Sequence, residues 1–268
     1  NLNNDALTSG SVAVSVKKHT DGTYTTTYNY TAAAGGALSP ATASNQFYYE
    51  TDGSSSDIIA YYPATASTTF PVQADQTSDD NYKASDLMWA QVSNQMPTNN
   101  TVNLEFSHLL TKIIVNATAG EGITSITSVT LNNVKPKVTF TAADGTVALA
   151  SSDNDATNIT MSNNGAAIIP PQTIDGSFIP IVTNAGTAIY AVENKEFESG
   201  HQYTLNITVN AAAIGTTNTV TGWTSQGTVT VQPTITETQY VMIPYGAVPG
   251  LFTINADGDQ VFFSKGNL

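Results

Sequence analysis

The fold class is decided by the stretch Val102-Asn103-Leu104-Glu105-Phe106-Ser107-His108-Leu109-Leu110-Thr111-Lys112-Ile113-Ile114-Val115-Asn116-Ala117. Its first half alternates apolar and polar residues, which is the period of a β-strand. Its second half is mostly apolar and contains the β-branched run Ile113-Ile114-Val115, which favours a strand covered on both faces. A helix over Phe106–Val115 is the competing interpretation, and the β-branched run and the downstream Gly120 disfavour it. We therefore expect one long strand over Val102–Ala117.

The same alternation recurs along the rest of the chain. Val12, Val14 and Val16 share one face of an opening strand, and Asp21-Gly22 is typical of a hairpin turn before a strand over Tyr24–Tyr30. Apolar segments then recur at a spacing of roughly 8–15 residues with turn residues between them, as in an all-β sandwich. Further strands are expected over Ile58–Tyr62, Leu87–Val92, Ile126–Leu131, Lys137–Thr141, Val147–Ala150, Ala166–Ile169, Phe178–Val182, Ile189–Val192, Tyr203–Val209, Thr228–Val231 and Tyr240–Ile243. Asp79–Met88 has room for one short helical turn.

Length and composition predict more than one domain. The 268 residues exceed one small sandwich, and the polar stretch Met96–Asn100 is the strongest candidate boundary. We predict two tandem β-sandwiches at 1–100 and 101–249. Residues 250–268 are expected to form an appended strand pair around the turn Asp257-Gly258.

Charge excludes two classes of partner. The formal net charge is −13, all eight basic residues are lysine, and cysteine is absent. Nucleic acids and anionic bilayers are bound by clustered Lys and Arg, so neither is an expected partner. Solubility and mutual repulsion at a crowded surface explain the acidity most simply.

The histidines do not form a catalytic or metal-binding pattern. His19, His108 and His201 lie far apart, and His108 follows Ser107 directly, so the two side chains point to opposite faces of a strand. Each histidine is expected to be structural or solvated. Asp153-Asn154-Asp155 begins like a calcium loop but lacks the later Gly and Glu.

No motif for nucleotide binding or hydrolysis occurs. A glycosidase would need two facing carboxylates, which sequence cannot exclude among 21 acidic residues. Trp89 and Trp223 are expected to pack in a core or at an edge. We therefore expect a chain that is not an enzyme and has no catalytic residue, cofactor or metal.

Seven short motifs follow one another along the chain. They are Asp57-Ile58-Ile59-Ala60-Tyr61-Tyr62-Pro63, Asp75-Gln76-Thr77, Ser85-Asp86-Leu87-Met88-Trp89-Ala90, Leu104–Ile113, Ile169-Pro170-Pro171-Gln172-Thr173, Phe197–Tyr203 and Val220-Thr221-Gly222-Trp223. This succession resembles the fimbrillin family of the Bacteroidales, which includes the stalk, anchor and tip subunits of type V fimbriae. Each motif is weak alone, and their order over about 60–225 makes the resemblance specific.

The resemblance implies two transthyretin-like β-sandwiches and a non-enzymatic fimbrial subunit or surface adhesin. It also implies export as a lipoprotein precursor, presentation at the outer membrane and polymerisation with other subunits by strand exchange after proteolytic trimming. The family is typically trimmed at an Arg, and this chain has none. That fits either a trimmed product or a subunit that is never cut. The start at Asn1 suggests a mature form, although a cloning boundary would look the same.

The tail offers candidate donor-strand residues. A sandwich that lacks one strand has an apolar groove and unpaired backbone, which an alternating strand from a partner repairs. Phe252, Ile254, Val261 and Phe263 have this alternation, as do Val12, Val14 and Val16 at the start. Both segments could instead be ordinary strands of their own domains. Gly250–Leu268 also resembles the opening of a further module in some surface proteins.

A glycan-binding protein of a polysaccharide-uptake system is the alternative function. It requires exposed aromatic side chains aligned along one face. The candidates are Tyr48, Tyr49, Tyr61, Tyr62 and Trp223. A host or bacterial surface protein or glycan would then be a partner beside other fimbrial subunits.

Overall fold

The fold was analysed in a computed structural model. It describes residues 6–20 and 22–211, together with the backbone of strands at 214–222, 228–229, 252–253 and 260–261. Strands dominate this part of the chain, which confirms the all-β class. The described part contains no helix with the length and hydropathy that crossing a bilayer requires.

The first sheet gathers strands from the beginning of the chain. Within the described residues its antiparallel order is β3-β2-β1-β4-β6-β7, so β1 lies at its centre between β2 and β4. The elements here are β1 (Ser11–Lys18), β2 (Thr27–Ala32), β3 (Leu38–Pro40), β4 (Ser56–Tyr62), β5 (Thr69–Pro71), α1 (Asp79–Ala84), β6 (Met88–Gln95) and β7 (Ser107–His108).

The later strands are β8 (Thr111–Ala119), β9 (Ile126–Val134), β10 (Lys137–Thr141), β11 (Thr146–Leu149), β12 (Thr157–Thr160), β13 (Ala166–Ile169), β14 (Gln172–Thr183), β15 (Gly186–Phe197), β16 (His201–Val209), β17 (Ile214–Gly222), β18 (Thr228–Val229), β19 (Phe252–Thr253) and β20 (Gln260–Val261). All of them except β10, β11, β19 and β20 belong to the two sheets of a sandwich, and β19 pairs with β20. One sheet has the order β13-β8-β16-β17-β18 and the other β12-β9-β14-β15. Ile113 and Leu205 from one sheet and Leu131 and Phe178 from the other are buried in the same core.

A small sheet with the order β11-β10-β5 lies against one face of the first sheet. Tyr61 of β4 meets the Phe140 ring of β10 edge-on, with ring centroids 5.5 Å apart. The Trp89 indole N–H of β6 donates to the carbonyl of Ala142 at 2.8 Å. Trp89 therefore packs between sheets, as the sequence predicts; Trp223 lies outside the described residues.

The prediction of one strand over Val102–Ala117 is wrong. β7 ends at His108, β8 begins at Thr111, and the residues before Ser107 are extended without belonging to a strand. The reason lies in Leu109 and Leu110, whose backbone groups bond to different partners. The Leu109 N–H donates to the carbonyl of Leu87 at 2.8 Å, and the Leu110 carbonyl accepts the N–H of Gly200 at 2.9 Å. The chain thus leaves the first sheet and enters the sandwich at these two residues.

Most other expected strands are present with shifted ends. β2 begins at Thr27 rather than Tyr24, and β3, β5, β12 and β17 were not expected. Tyr240–Ile243 lies outside the described residues. The domain limits 1–100, 101–249 and 250–268 remain predictions, and β5 pairs with β10 across the first of them.

Gly145 offers a test of the packing around Trp89. Its φ is +73°, and a Cβ there would lie 2.5 Å from a Trp89 ring atom, whereas Gly53 has a φ of +77° and open space around it. Alanine in the left-handed region costs about 1–2 kcal/mol, so Gly53→Ala measures the backbone cost. Gly145→Ala should lower the free energy of unfolding by a further ~1–3 kcal/mol because of the overlap. Urea unfolding measures both, and equal losses would contradict the packing described here.

Candidate strand-accepting groove

The floor of the candidate site is the second face of the first sheet. Val12 and Val14 of β1, Tyr30 of β2, and Ile58 and Ala60 of β4 form one buried apolar cluster there. Val12 and Val14 lie two positions apart along their strand, as do Ile58 and Ala60, so each pair shares one face. Tyr30 pairs with Val12, and Ala60 with Val14, which puts all five on the same face. An apolar face of this kind must be covered by another layer.

Two extended segments cover this floor. In the first, Phe47 and Tyr49 are half-buried while Tyr48 between them is exposed. In the second, Val102, Leu104 and Phe106 pack against the floor. The intervening Asn103 and Glu105 are exposed. Both segments therefore have the alternation of strands although neither is one.

The covering segments have no backbone ladder. Within the described residues, Val102–Glu105 form no backbone hydrogen bond, and neither do the backbone groups of Tyr48 and Tyr49. Extended backbone with free N–H and C=O groups is what an edge strand presents to a partner. The cover is therefore held to the floor by side chains alone along these residues.

A cavity of about 950 Å³ lies between the floor and the covering segments. This volume is at the upper end of the range for ligand pockets, roughly 300–1,000 Å³. Among the described residues that line it, Glu105 is the single carboxylate and there is no lysine. The groove, as we call this cavity with its floor and covering segments, therefore suits an uncharged occupant.

Two polar groups inside the groove differ in their bonding. The Tyr49 hydroxyl is buried and has no hydrogen-bond partner among the described residues, and burial raises its pKa. Burial also raises the pKa of Tyr30, against the effect of a hydrogen bond between its hydroxyl and the backbone of Phe47. An unsatisfied buried hydroxyl costs free energy, so an occupant that bonds to Tyr49 would be favoured.

His108 closes one end of the groove and is structural, as predicted. Its Nδ1 lies 2.7 Å from Oδ1 of the buried Asp86. Lys112 is buried nearby; desolvation lowers its pKa, and the charge of Asp86 opposes that shift. Together these groups place a polar cluster at the junction between the first sheet and β8.

The other histidines are also bonded to their surroundings. His19 Nδ1 lies 2.7 Å from Oδ1 of Asp57, which also meets the Lys17 ammonium at 3.2 Å. His201 Nδ1 is 2.9 Å from the carbonyl of Ser199. Burial would raise the pKa of Asp57, but hydrogen bonds led by that of the Asn94 N–H hold it below its usual value. The described residues contain no group of three side chains that could hold a metal ion.

The predicted donor-strand residues are only partly described. Phe252 and Val261 lie opposite each other in the antiparallel pair β19–β20. Ile254 and Phe263 lie outside the described residues, so their donor role remains a prediction. The opening valines belong to β1 at the centre of the first sheet. Val12 and Val14 form part of the floor, and Val16 packs against it.

The aromatic residues proposed for glycan binding do not form a row where they are described. Tyr48 is 81% exposed, while Tyr49 turns into the groove. Tyr61 and Tyr62 pack on opposite faces of the first sheet. Trp223 lies outside the described residues.

The fold and the groove define a class of protein: an all-β sandwich protein with one incompletely covered sheet. A family model described as fimbrillin-like matches residues 4–223. The chain therefore belongs to the fimbrillin-like family. No curated protein matches the chain significantly.

Solved structures of two Bacteroides proteins share the fold. A proposed cell adhesion protein from Bacteroides ovatus has a TM-score of 0.70 at 19% identity, covering 84% of this chain and 91% of that chain. One from Bacteroides uniformis has a TM-score of 0.68 at 19% identity, covering 83% and 94%. At this identity both likenesses show the fold alone. The tip fimbrial protein Mfa3 from Porphyromonas gingivalis, truncated at its C-terminus, has a TM-score of 0.48 at 12% identity, covering 81% and 95%.

Tyr49→Phe tests whether the buried hydroxyl is unsatisfied. Removing a hydroxyl that has no partner should leave the free energy of unfolding of the isolated chain unchanged or raise it by up to ~1 kcal/mol. Tyr48→Phe is the matched control, because the Tyr48 side chain is exposed. Urea unfolding measures both, and a loss of more than ~1 kcal/mol specific to Tyr49→Phe would show that the hydroxyl already has a partner.

Proposed function

We propose that this chain is a non-enzymatic fimbrial subunit or associated surface adhesin that assembles by exchange of a β-strand with another subunit. Membership of the fimbrillin-like family supports a fimbrial or adhesin role. The shared fold of the two Bacteroides cell adhesion proteins agrees with it.

The observation that carries the strand-exchange proposal is the unpaired backbone around the groove. Leu104 and its neighbours place apolar side chains inward and free backbone groups beside the cavity. A strand that entered would bury apolar side chains on the floor and pair its backbone with the free groups. Both defects of the isolated subunit would be repaired at once.

The tail is the donor we propose. Phe252 and Ile254 lie two residues apart, as do Val261 and Phe263, so each pair shares one face of an extended strand. Residues 250–256 carry no charge, which matches a groove with one carboxylate and no lysine among its described lining residues. A charged strand would lose its hydration in such a site without gaining a partner.

The proposed setting follows from the proposed assembly. Other fimbrial subunits are the partners, and the fimbrium at the outer membrane is the location, with export as a lipoprotein precursor. A host or bacterial surface protein or glycan is a further partner if the chain acts as an adhesin.

Leu104→Asp tests the groove as acceptor. The substitution places a carboxylate inside the groove, where no lysine among the described lining residues can pair with it. We expect the number of filaments, seen by negative-stain electron microscopy of a Bacteroidales host that expresses the full gene, to fall by about tenfold or more.

Asn99→Asp is the control, because Asn99 is exposed and is not one of the residues that line the groove. It should leave the filaments unchanged, and circular dichroism of both purified variants checks that each is folded. Equal filament numbers in the two variants would show that the groove is not the acceptor. A host that makes no filaments from the natural chain would favour an adhesin that does not polymerise.

A further inference from the structure

We propose that Ala74–Gln76, which we call the edge plug, is a built-in substitute strand that closes the shared edge of β12 and β13. It thereby confines strand exchange to the groove of the first sheet. The claim that exchange is confined to the groove rests on the proposed function. The claim that the edge plug closes the shared edge does not. Gln76 belongs to the motif Asp75-Gln76-Thr77, for which neither fold nor groove supplies a role.

The edge that needs closing belongs to the sandwich. β12 is the outer strand of one of its sheets and β13 the outer strand of the other, and the two follow each other along the chain. Both therefore lie at one open side of the sandwich. Outer strands present free backbone groups to which a foreign strand can add.

The backbone of the edge plug pairs with β12. The Thr160 N–H donates to the carbonyl of Ala74 at 2.8 Å, and the Gln76 N–H donates to the carbonyl of Thr160 at 2.9 Å. Asp75 and Thr160 form a parallel bridge at this point. The plug thus behaves as one rung of an additional strand beside β12.

The side chain of Gln76 pairs with β13. Its Oε1 accepts the N–H of Ile168 at 2.8 Å, and its Nε2 donates to the carbonyl of Ile168 at 2.8 Å. Nε2 also donates to the carbonyl of Gln73 at 3.0 Å. The primary amide of Gln76, which is fully buried, therefore replaces the peptide group that a neighbouring strand would supply.

These bonds complete the hydrogen bonding along β13. Alternate residues of an outer strand point both backbone groups away from the sheet, and in β13 these are Ala166 and Ile168. Ala166 exchanges bonds with Ser162: its N–H donates to Ser162 Oγ at 3.2 Å, and its carbonyl accepts the Ser162 N–H at 2.8 Å. Ile168 is satisfied by Gln76. No backbone group of these two residues remains for an incoming strand.

Helix α1 and its flanks hold the plug in place. Asn81 Nδ2 donates to the carbonyl of Asp75 at 2.9 Å. Ser85 Oγ accepts the N–H of Gln73 at 2.9 Å and donates to the carbonyl of Asn81 at 2.9 Å. The Thr77 N–H and hydroxyl both donate to Asp75 Oδ1, at 2.9 and 2.7 Å. The plug is therefore a fixed part of the fold, unlike the covering segments of the groove.

The groove and the edge of β12 and β13 differ in their free backbone groups, and this difference decides where a donor strand can add. At the groove, extended segments leave Val102–Glu105 without backbone partners in the described residues. At the edge of β12 and β13, one buried amide and two backbone bonds occupy the corresponding positions. A donor strand that meets a subunit finds unpaired backbone at the first, whereas at the second the outward backbone groups of Thr160, Ala166 and Ile168 are already bonded.

Hydrogen exchange of the full chain, read by mass spectrometry, tests whether the edge plug closes the edge of β12 and β13. Gln76→Ala should speed exchange in peptides that cover β12 and β13 by about tenfold or more, with β14 and β15 unchanged. Gln76→Met, which keeps the length of the side chain without its hydrogen bonds, should do the same if the alanine variant folds poorly. Unchanged protection of β13, or an equal loss in every strand, would overturn the role of the plug.

Two other glutamines serve as matched controls. Gln73→Ala removes an exposed neighbouring side chain and should change nothing. Gln172→Ala removes a second buried amide, which bonds to the backbone of Lys135 and Pro170 instead. It should destabilise the chain without selectively opening β13.

A synthetic peptide of residues 250–264 tests whether the plug confines strand exchange to the groove. In the natural chain it should slow exchange at 46–50 and 101–107 only, and in Gln76→Ala it should also slow exchange at 157–160 and 166–169. If the peptide protects β13 in the natural chain, exchange is not confined to the groove. If in Gln76→Ala the peptide protects the groove but not β13, the plug is not what excludes it, and this claim fails as well. A peptide that protects the groove in neither chain would instead refute the proposed function, and the plug would still be judged by the exchange rates without peptide.

Discussion

The structure depends on one constraint: every extended backbone segment must find hydrogen-bond partners for its N–H and C=O groups. Paired strands meet it in the interiors of both sandwich sheets, and the edge plug meets it at the outer strands β12 and β13. Around the groove, within the described residues, it is not met for Val102–Glu105. Val102 and Leu104 are half-buried there. Backbone groups without partners are unfavourable away from water, so a further strand that paired with them would stabilise this region.

The same defect connects stability with assembly. Side chains such as Leu104 and Phe47 hold the covering segments over an apolar floor, so the subunit can fold before a partner arrives. The cavity of about 950 Å³ shows that this cover does not fill the space above the floor. Under the proposed strand exchange, a strand from another subunit would fill this space.

The buried polar cluster at the end of the groove fixes how the two parts of the chain meet. Asp86 lies just after helix α1, His108 is the last residue of β7, and Lys112 lies at the start of β8. The short contact between His108 and Asp86 therefore links the segment before β6 to the strand that leads into the sandwich. A buried hydrogen-bonded pair of polar side chains favours one arrangement of the junction over looser ones, because breaking the bond would leave buried polar groups without partners.

Sequence reasoning predicted the all-β class because alternation is a local property that β1, β4 and β16 display plainly. It failed at Val102–Ala117 because alternation reveals a strand-like conformation but not whether the backbone finds a partner. The break at Leu109 and Leu110 depends on bonds to Leu87 and Gly200, one of them ninety residues away in the chain.

The site was harder to predict than the fold. The alternation of Phe47, Tyr48 and Tyr49 was a usable signal for a covering segment, whereas nothing local distinguishes Gln76 from a solvent-exposed glutamine. Its burial follows from the positions of Thr160 and Ile168, which only the folded chain brings to it.

The most direct test of strand exchange uses the absence of cysteine from the natural chain. Leu104→Cys in one preparation is mixed with Ile254→Cys in another under mild oxidation, and disulfide-linked dimers are counted on a non-reducing gel. If the tail of one copy enters the groove of the next, Leu104→Cys should form the mixed dimer and Asn99→Cys, whose side chain is exposed and outside the groove lining, should not. Equal dimer formation with both variants, or none with either, would contradict the account.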